Sequence, residues 1–194
     1  MTGIQQTVIL LILLYIFNGS CVSNTTHPPK DPELIKRINE ILDKIDKDTH
    51  EFLRPYHSRS NYIGPNHTMK MPEGKLLIEN PDISLPLMFK RLDNKKVSDA
   101  LCIYFKVFEL AKSAESIPYI TDYISSISEE ETMSADEITC KHLSEGAALS
   151  AAQKITSLKL TDKNYLFEEA FDQRLDIAKK LRQWYEEYKK NQNK

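Results

Sequence analysis

Near the end of the chain, residues 166–188 read LFEEAFDQRLDIAKKLRQWYEEY, and this stretch decides the fold. Its apolar residues recur every three or four positions, which puts them on one face of a helix about six turns long. They are Phe167, Phe171, Ile177, Ala178, Leu181, Trp184 and Tyr188, with Leu175 alongside. A helix with one apolar stripe is rarely stable alone. The sequence therefore predicts that this helix, about 163–189, packs against other helices.

Three other stretches repeat the helical pattern. They span about 31–54, 93–114 and 134–158. The first begins with Asp31 as a cap and Pro32 at the first helical position. The third begins with a capping box from Ser134 to Glu137. The second is apolar around most of its circumference, which indicates burial on two sides. With only 5 glycines, the sequence predicts one all-helical domain rather than a turn-rich β fold.

The connection between the first two helices has no period. From Pro55 to about Pro86 it contains five prolines and two glycines, with a short strand predicted at 75–79 only as a minor feature. Connections of about thirty residues are uncommon in compact domains. In a helical bundle such a connection can carry the chain the length of a helix, so that the next helix runs parallel to the first.

The first residues predict the compartment. Residues 7–17 read TVILLILLYIF, an apolar run too short to span a bilayer and typical of a signal-peptide core. Small residues follow and indicate cleavage after Ser23. The sequence thus predicts a signal peptide at 1–23 and a secreted, extracellular chain at 24–194. An uncleaved anchoring segment and a bacterial lipoprotein signal ending at Cys21 are the alternatives, although the residues before Cys21 fit the second poorly.

Secretion changes the interpretation of the cysteines. Cleavage leaves Cys102 and Cys140, an even pair in an oxidising compartment, and this favours a disulfide. The two residues are 38 positions apart. In the chain-entropy model a bridge of that span stabilises the fold by ~4 kcal/mol before any strain. Two buried free thiols are the alternative.

Two glycosylation sequons remain in the predicted mature chain. Asn24-Thr-Thr and Asn66-His-Thr both lie in stretches without periodicity. Such stretches are usually exposed, so a glycan could be attached there. Because sequons also occur by chance, they support a secreted glycoprotein without proving one.

Charge and motifs exclude several classes of function. The formal charge of −2 gives no electrostatic case for nucleic acid or an anionic membrane surface. The five histidines have no metal-ligand spacing, and no nucleophile elbow, phosphate loop or dinucleotide turn is present. We therefore expect a protein that is not an enzyme, has no metal or cofactor and does not insert into membranes. A secreted helical protein of this kind is more often a receptor ligand or a carrier.

Four stretches carry a resemblance to a known family. They are residues 61–65 (NYIGP), Leu85-Pro86, residues 100–105 (ALCIYF) and residues 181–184 (LRQW). Together they resemble the long-chain helical cytokines, closest to the interleukin-6 family and its ciliary neurotrophic factor and cardiotrophin-like branch. The resemblance implies a four-helix bundle in up-up-down-down order with a long crossover loop after the first helix. It also implies immune or growth signalling by bringing cell-surface cytokine receptors together, including the signalling subunit that this family shares.

The resemblance also implies which residues bind receptors. In the neurotrophic branch a Phe-x-x-Lys at the start of the last helix contacts a signalling receptor. Here the matching region offers Phe167 to Ala170 or Phe171 to Arg174. The second keeps the aromatic ring and the positive charge, with arginine in place of lysine. Because arginine and lysine differ at packed sites, the receptor's identity stays open, and a core role for Phe171 is the alternative. Further contacts are expected from the polar faces of the first and third helices and from the last helix. They are Lys36, Arg37, Glu40, Lys141, Glu145, Arg182, Trp184 and Tyr188.

Loop lengths leave two other classes open. The family requires a long connection between the last two helices, whereas only a few mostly polar residues separate the predicted ones. A short connection would make them antiparallel, as in the five-helix interferon and interleukin-10 class, with 119–127 as the extra helix. Outside the cytokines there are two alternatives. One is a secreted structural or host-interaction protein, and the other is a secreted carrier of a small hydrophobic ligand, which needs an apolar cavity. Closely spaced alanines in 134–158 favour tight packing instead.

Overall fold

A computed structural model describes residues 31–47, 69–94, 101–127, 138–161 and 173–192, without the side chains of 138–143. Every regular element in these ranges is helical, so the predicted all-α class is confirmed for the described part of the chain. The helices are α1 Pro32–Lys47, α2 Pro72–Glu79, α3 Pro81–Asp93, α4 Leu101–Ala111, α5 Ile117–Ser126, α6 Ile138–Thr156 and α7 Arg174–Gln192, with a 3₁₀-helix at Ala114–Ser116. All of them belong to one compact unit that begins at Pro32.

Helix α4 is the centre of the core. Eight of its 11 residues are buried, including Tyr104, Phe105 and Phe108. A helix that is apolar around most of its circumference must be enclosed by others, as the sequence indicates for this stretch. Its main neighbour is α6. On α6 the small side chains of Ala148 and Ala151 are fully buried, which lets two helix backbones approach closely.

Helix α4 ends in a Schellman motif. Lys112 adopts a left-handed conformation with φ 51°. The Ser113 amide then donates to the Phe108 carbonyl at 3.1 Å and the Lys112 amide donates to the Glu109 carbonyl at 3.2 Å. These two bonds satisfy carbonyls that the helix end would otherwise leave open. The turn directs the chain into the 3₁₀-helix and α5.

Residues 72–93 differ from the sequence prediction. An irregular connection with a short strand at 75–79 is predicted as far as Pro86, but the structure has helices α2 and α3. Pro72 and Pro81 stand in the first turn of each helix, where a missing amide hydrogen costs nothing. The Ser84 hydroxyl of α3 donates to the Leu77 carbonyl of α2 at 2.7 Å and so joins the two helices. The prediction is wrong here because these prolines start helices instead of interrupting them.

The predicted helix boundaries differ from the structure in other places. Asp93, expected to begin the second long helix, is the last residue of α3. The same predicted helix ends at Ala111 rather than near residue 114. Leu110, within the stretch predicted to be buried on two sides, is 44% exposed. Several predicted features lie outside the described residues: the signal peptide, Cys21, the sequons at Asn24 and Asn66, residues 48–54 of the first helix, the Ser134–Glu137 capping box and the start of the last helix up to residue 172.

An ion network holds α1 against α3. The Arg91 guanidinium on α3 donates to Asp46 Oδ2 at 3.0 Å, to Asp43 Oδ1 at 2.6 Å and to Asn39 Oδ1 at 3.1 Å. The hydroxyl of Tyr104, from α4, donates to Asp46 Oδ1 at 2.8 Å. Burial raises the pKa of Asp46, although the bonds from Tyr104 and Arg91 oppose the rise. The network thus joins three helices through one half-buried carboxylate.

Candidate functional site

The carboxyl-terminal half of α7 has a cluster of aromatic rings at the surface. Trp184 and Tyr188 stack with ring centroids 5.4 Å apart, and Tyr185 lies 6.2 Å from Tyr188. All three side chains are half-buried. They continue the stripe that Ile177 and Leu181 bury in the first half of the helix. We call Trp184, Tyr185 and Tyr188 the aromatic end of α7, since it is the part of the stripe that the bundle covers only in part.

The aromatic end is held in place by polar contacts. Lys189 lies 5.0 Å from the centroid of the Tyr185 ring, a cation–π distance. The Tyr188 hydroxyl is 3.5 Å from Oε1 of Glu115 in the 3₁₀-helix. Burial and the Glu115 carboxylate raise the pKa of Tyr188. These contacts limit the rotamers of the rings before any partner arrives.

A second row of rings connects the core to the α5 surface. Phe89 of α3 packs against Phe108 with centroids 5.4 Å apart and stacks on Tyr119 of α5 at 5.0 Å. The Tyr119 hydroxyl donates to Asp93 Oδ1 at 3.0 Å. Burial and the Asp93 carboxylate raise the pKa of Tyr119, with a smaller contribution from Tyr185. This row supports α5, which is the main neighbour of α7.

The predicted receptor-binding residues of α7 differ in exposure and in their contacts within the chain. Trp184 and Tyr188 belong to the aromatic end. Arg182 is exposed on another side of α7, and its Nη2 makes a long contact of 3.5 Å to the Ser125 hydroxyl. Arg174, by contrast, donates from Nε to the Ile127 carbonyl at 3.1 Å. Its guanidinium therefore has a structural role in joining α7 to the end of α5. Phe171 lies outside the described residues, so the Phe-x-x-Arg motif is described at one end only.

The predicted contacts of the first helix are on a different part of the molecule. Arg37 and Glu40 are exposed on α1, and Glu40 lies 4.0 Å from Lys36. The main neighbours of α1 are α2 and α3, whereas those of α7 are α5 and α6. The structure thus does not bring the two groups of predicted residues together. They belong to two separate surfaces.

One predicted contact on the third helix is wrong. Glu145 is expected on the polar face of α6, but it is 2% exposed and so is unable to reach a partner. The side chain of Lys141 lies outside the described part of α6.

Cys102 is buried at 1% exposure on α4, and the side chain of Cys140 lies outside the described residues. The predicted disulfide therefore stays a prediction.

A buried charged cluster lies between α4 and α6. Glu109 accepts hydrogen bonds from Lys106, from Lys154 Nζ at 2.8 Å and from the Ser150 hydroxyl at 2.8 Å. Its side chain is 3% exposed. Burial alone would raise the pKa of Glu109, but these three bonds outweigh burial and lower it. Because Lys106 and Glu109 belong to α4 and Ser150 and Lys154 to α6, the cluster joins the two helices.

A polar cleft of about 590 Å³ opens beside the Arg91 network. Its lining residues are Asn39, Asp43, Asp46, Lys47, Leu87, Lys90, Arg91 and Asn94. Such a lining is unlike the apolar wall that a carrier of hydrophobic molecules needs.

Within the described ranges, no group of His, Cys, Asp and Glu side chains could hold a metal ion. No helix in these same ranges is long and apolar enough to cross a membrane.

Comparison with protein-family models, with curated proteins and with solved structures finds no match to this chain.

The sequence analysis does not identify Tyr185 or the polar contacts of the aromatic end. Tyr185 follows Trp184 directly and precedes Lys189 by four positions, a spacing at which helical side chains meet. That spacing is a usable signal for the cation–π contact. Glu115 gives no such signal, because 73 positions separate it from Tyr188. Only the packing of the 3₁₀-helix near α7 brings the two together.

Proposed function

We propose that this protein is a secreted cytokine of the interleukin-6 type, which binds cell-surface cytokine-receptor chains and brings them together to trigger signalling. The proposal includes the long-chain four-helix-bundle arrangement with up-up-down-down order. It also includes secretion after loss of residues 1–23, the Cys102–Cys140 disulfide and glycans on Asn24 and Asn66. The sequence resemblance suggests the family, and the surface of α7 suggests how binding occurs.

The aromatic end of α7 is the observation that carries the proposal. Trp and Tyr dominate the energetic centres of protein interfaces because they bury much area with few rotatable bonds. Trp184 and Tyr188 are already stacked and half-exposed. A partner would therefore gain apolar burial while little side-chain entropy is lost. Arg182, also assigned to receptor binding by the resemblance, is exposed on another side of α7 and would lie outside this aromatic contact.

Two separate surfaces agree with a protein that joins two receptor chains. Arg37 and Glu40 on α1 and the aromatic end on α7 belong to helices with different main neighbours. A molecule that cross-links two receptors needs two such surfaces, because one site can engage only one chain. In this proposal α7 binds one receptor chain and the outer face of α1 binds another.

One observation favours the interferon and interleukin-10 class as the second candidate. That class has an extra helix, and the structure has α5 at Ile117–Ser126, where the sequence predicts a short one. Helix α7 also has α5 as its main neighbour. Both candidates are receptor-binding cytokines and both use the exposed surface of α7. They differ in the receptors that they should bind.

A receptor panel tests the proposal. The purified chain is passed over immobilised ectodomains of the shared interleukin-6-family signalling subunit, of interferon-type receptors and of interleukin-10-type receptors. Saturable binding to the shared subunit is the expected result. Binding only to the second or third group would replace the family while keeping the class. No binding by a chain that is helical by circular dichroism would overturn the proposal, and mass spectrometry for a co-purified lipid would then test the carrier alternative.

A further inference from the structure

The solvent side of α7 has an excess of positive charge. The helix carries six basic and three acidic residues, whereas the whole chain has a formal charge of −2. Charge is therefore segregated: one helix is basic on a protein that is otherwise acidic. At physiological ionic strength charges act over about 8 Å, so a ligand at α7 responds to the local charges more than to the net charge.

Three cations form a line along this surface. Lys179 and Lys190 are 11 positions apart, which brings them almost to the same side of the helix, roughly 16 Å apart along its axis. Arg182 lies one turn beyond Lys179. All three side chains are exposed. We call Lys179, Arg182 and Lys190 the basic band.

The basic band is not neutralised by nearby carboxylates. Three carboxylates of α7 stand three or four positions from a band cation, namely Asp176, Glu186 and Glu187. Glu186 forms an ion pair with Lys189 at 2.6 Å. Across the described part of the chain, no carboxylate lies within 4.0 Å of the charged groups of Lys179, Arg182 or Lys190. By contrast, Lys106 and Lys154 are paired with Glu109. The band thus keeps its charge available to an anion.

We propose that the basic band binds a sulfated polysaccharide, a glycosaminoglycan of the cell surface or extracellular matrix. Sulfate groups spaced along a flexible chain can pair with a row of lysine and arginine side chains one after another. The band is on a different side of α7 from the aromatic end, since Trp184 and Tyr188 continue the buried stripe. This inference rests on the proposed secretion but not on receptor binding, and a ligand on the band would leave the aromatic rings uncovered.

A polysaccharide fits the band better than a nucleic-acid duplex or a bilayer does. Both of those are broad anionic surfaces, and they would also approach the rest of a chain that is net negative. A single polysaccharide strand can follow one helix and touch little else.

Heparin binding tests the inference, with affinity measured by surface plasmon resonance at several salt concentrations. The triple variant Lys179→Gln/Arg182→Gln/Lys190→Gln removes the basic band. We expect at least tenfold weaker binding near physiological salt. We also expect a plot of log affinity against log salt that is shallower by about one unit per cation removed. The matched control is Lys36→Gln/Lys44→Gln/Lys47→Gln, which removes three exposed charges from α1. It should change the affinity less than twofold.

Separate controls test the class of ligand and the position of the site. Desulfated heparin should bind at least tenfold more weakly than heparin, and duplex DNA and phosphatidylserine vesicles should not compete with it. Trp184→Ala, which alters only the aromatic end, should leave heparin affinity unchanged. Equal losses in the two triple variants would overturn the assignment to α7. No binding of heparin by the wild-type chain, or equal binding of desulfated heparin, would overturn the proposal itself.

Discussion

Helices α4 and α7 use their residues in opposite ways. In α4 eight of 11 residues are buried, whereas in α7 only Ile177, Ala178 and Leu181 are buried out of 19. Both helices carry aromatic side chains. Those of α4 are enclosed, with Phe108 touching rings on three sides, while those of α7 are stacked on one another and half-exposed. The same residue types therefore stabilise the fold in one helix and are available to a partner in the other.

This difference predicts where mutations act. Truncating a ring in α4 should lower the free energy of unfolding, whereas truncating one in α7 should mainly lower affinity for a partner. Five experiments on variants test this contrast and the packing around it.

The largest effect is expected from Phe108→Ala. The side chain is fully buried and contacts Phe89, Tyr104 and Phe105. Removing it should lower the free energy of unfolding by about 4 kcal/mol, because lost burial and a residual cavity add together. Urea denaturation followed by circular dichroism measures the loss. Phe108→Leu, which keeps most of the volume, should cost less than half as much, and equal costs would mean that packing at this position is not tight.

Glu109→Gln should have the next largest effect, ~3 kcal/mol, because it leaves the buried Lys106 cation without its counter-charge. The loss should also depend on pH. The folded pKa of Glu109 is lowered, so the stability that its charge contributes is present above the pKa of the unfolded chain, near 4.5, and is lost as pH falls through the folded pKa. In urea melts from pH 7 to pH 3, the wild type and the variant should converge at the acid end. A constant difference would contradict the role of the ion pair.

Phe108 and Glu109 show which features of α4 can be predicted from the sequence and which cannot. The apolar period of 93–114 predicts a helix buried on two sides, and Phe108 lies in that core as expected. The buried pair within the same helix was missed. Ser150 and Lys154 lie more than 40 positions from Glu109, so a local pattern carries no signal for the bonds that make its burial tolerable.

The same limit explains the other differences. Proline is read from sequence as an interruption, but Pro72 and Pro81 begin helices because each occupies a first turn. Arg174 matches a receptor-contact motif in sequence, yet its bond goes to the Ile127 carbonyl, 47 positions away. Trp184 and Tyr188 were identified from the stripe itself, because their spacing of four is a property of the helix alone.

Trp184→Ala should separate binding from folding. We expect a loss of about 2 kcal/mol in receptor binding, roughly thirtyfold in affinity, because a stacked, half-exposed Trp is typical of an interface centre. Its cost to folding should be much smaller than that of Phe108→Ala. Leu175→Ala is the matched control, since Leu175 is 58% exposed on the same helix but off the stripe. Equal effects of the two substitutions on affinity would contradict the role of the aromatic end.

Arg174 and Arg182 provide a comparison within α7. Arg174→Gln should lower the free energy of unfolding by about 1 kcal/mol through loss of its bond to the Ile127 carbonyl. Arg182→Gln should change the free energy of unfolding by less than ~0.5 kcal/mol. Its guanidinium is exposed, and its contact with the Ser125 hydroxyl is long, at 3.5 Å. Thermal denaturation of both variants measures this. The reverse order would exchange their structural and binding roles.

The smallest effect is expected from Gly146→Ala, and it should be stabilising. Gly146 lies inside α6, and a methyl group there would meet nothing within 4 Å. Alanine should therefore raise the free energy of unfolding by ~0.7 kcal/mol through helix propensity alone. Ala148→Gly at the fully buried position two residues later is the contrasting variant and should destabilise. A destabilising Gly146→Ala would show that close packing on α6 extends to this residue.

Hydrogen exchange of the free and receptor-bound chain tests the central claim most directly. The measurement is peptide-level mass spectrometry, without and with a saturating ectodomain of the shared interleukin-6-family signalling subunit. In the free chain we expect the slowest exchange in α4 and faster exchange in the second half of α7. Receptor binding should slow exchange around Trp184–Tyr188 and leave α4 unchanged. Unchanged exchange in α7 when the receptor is bound, or protection confined to other helices, would contradict the account.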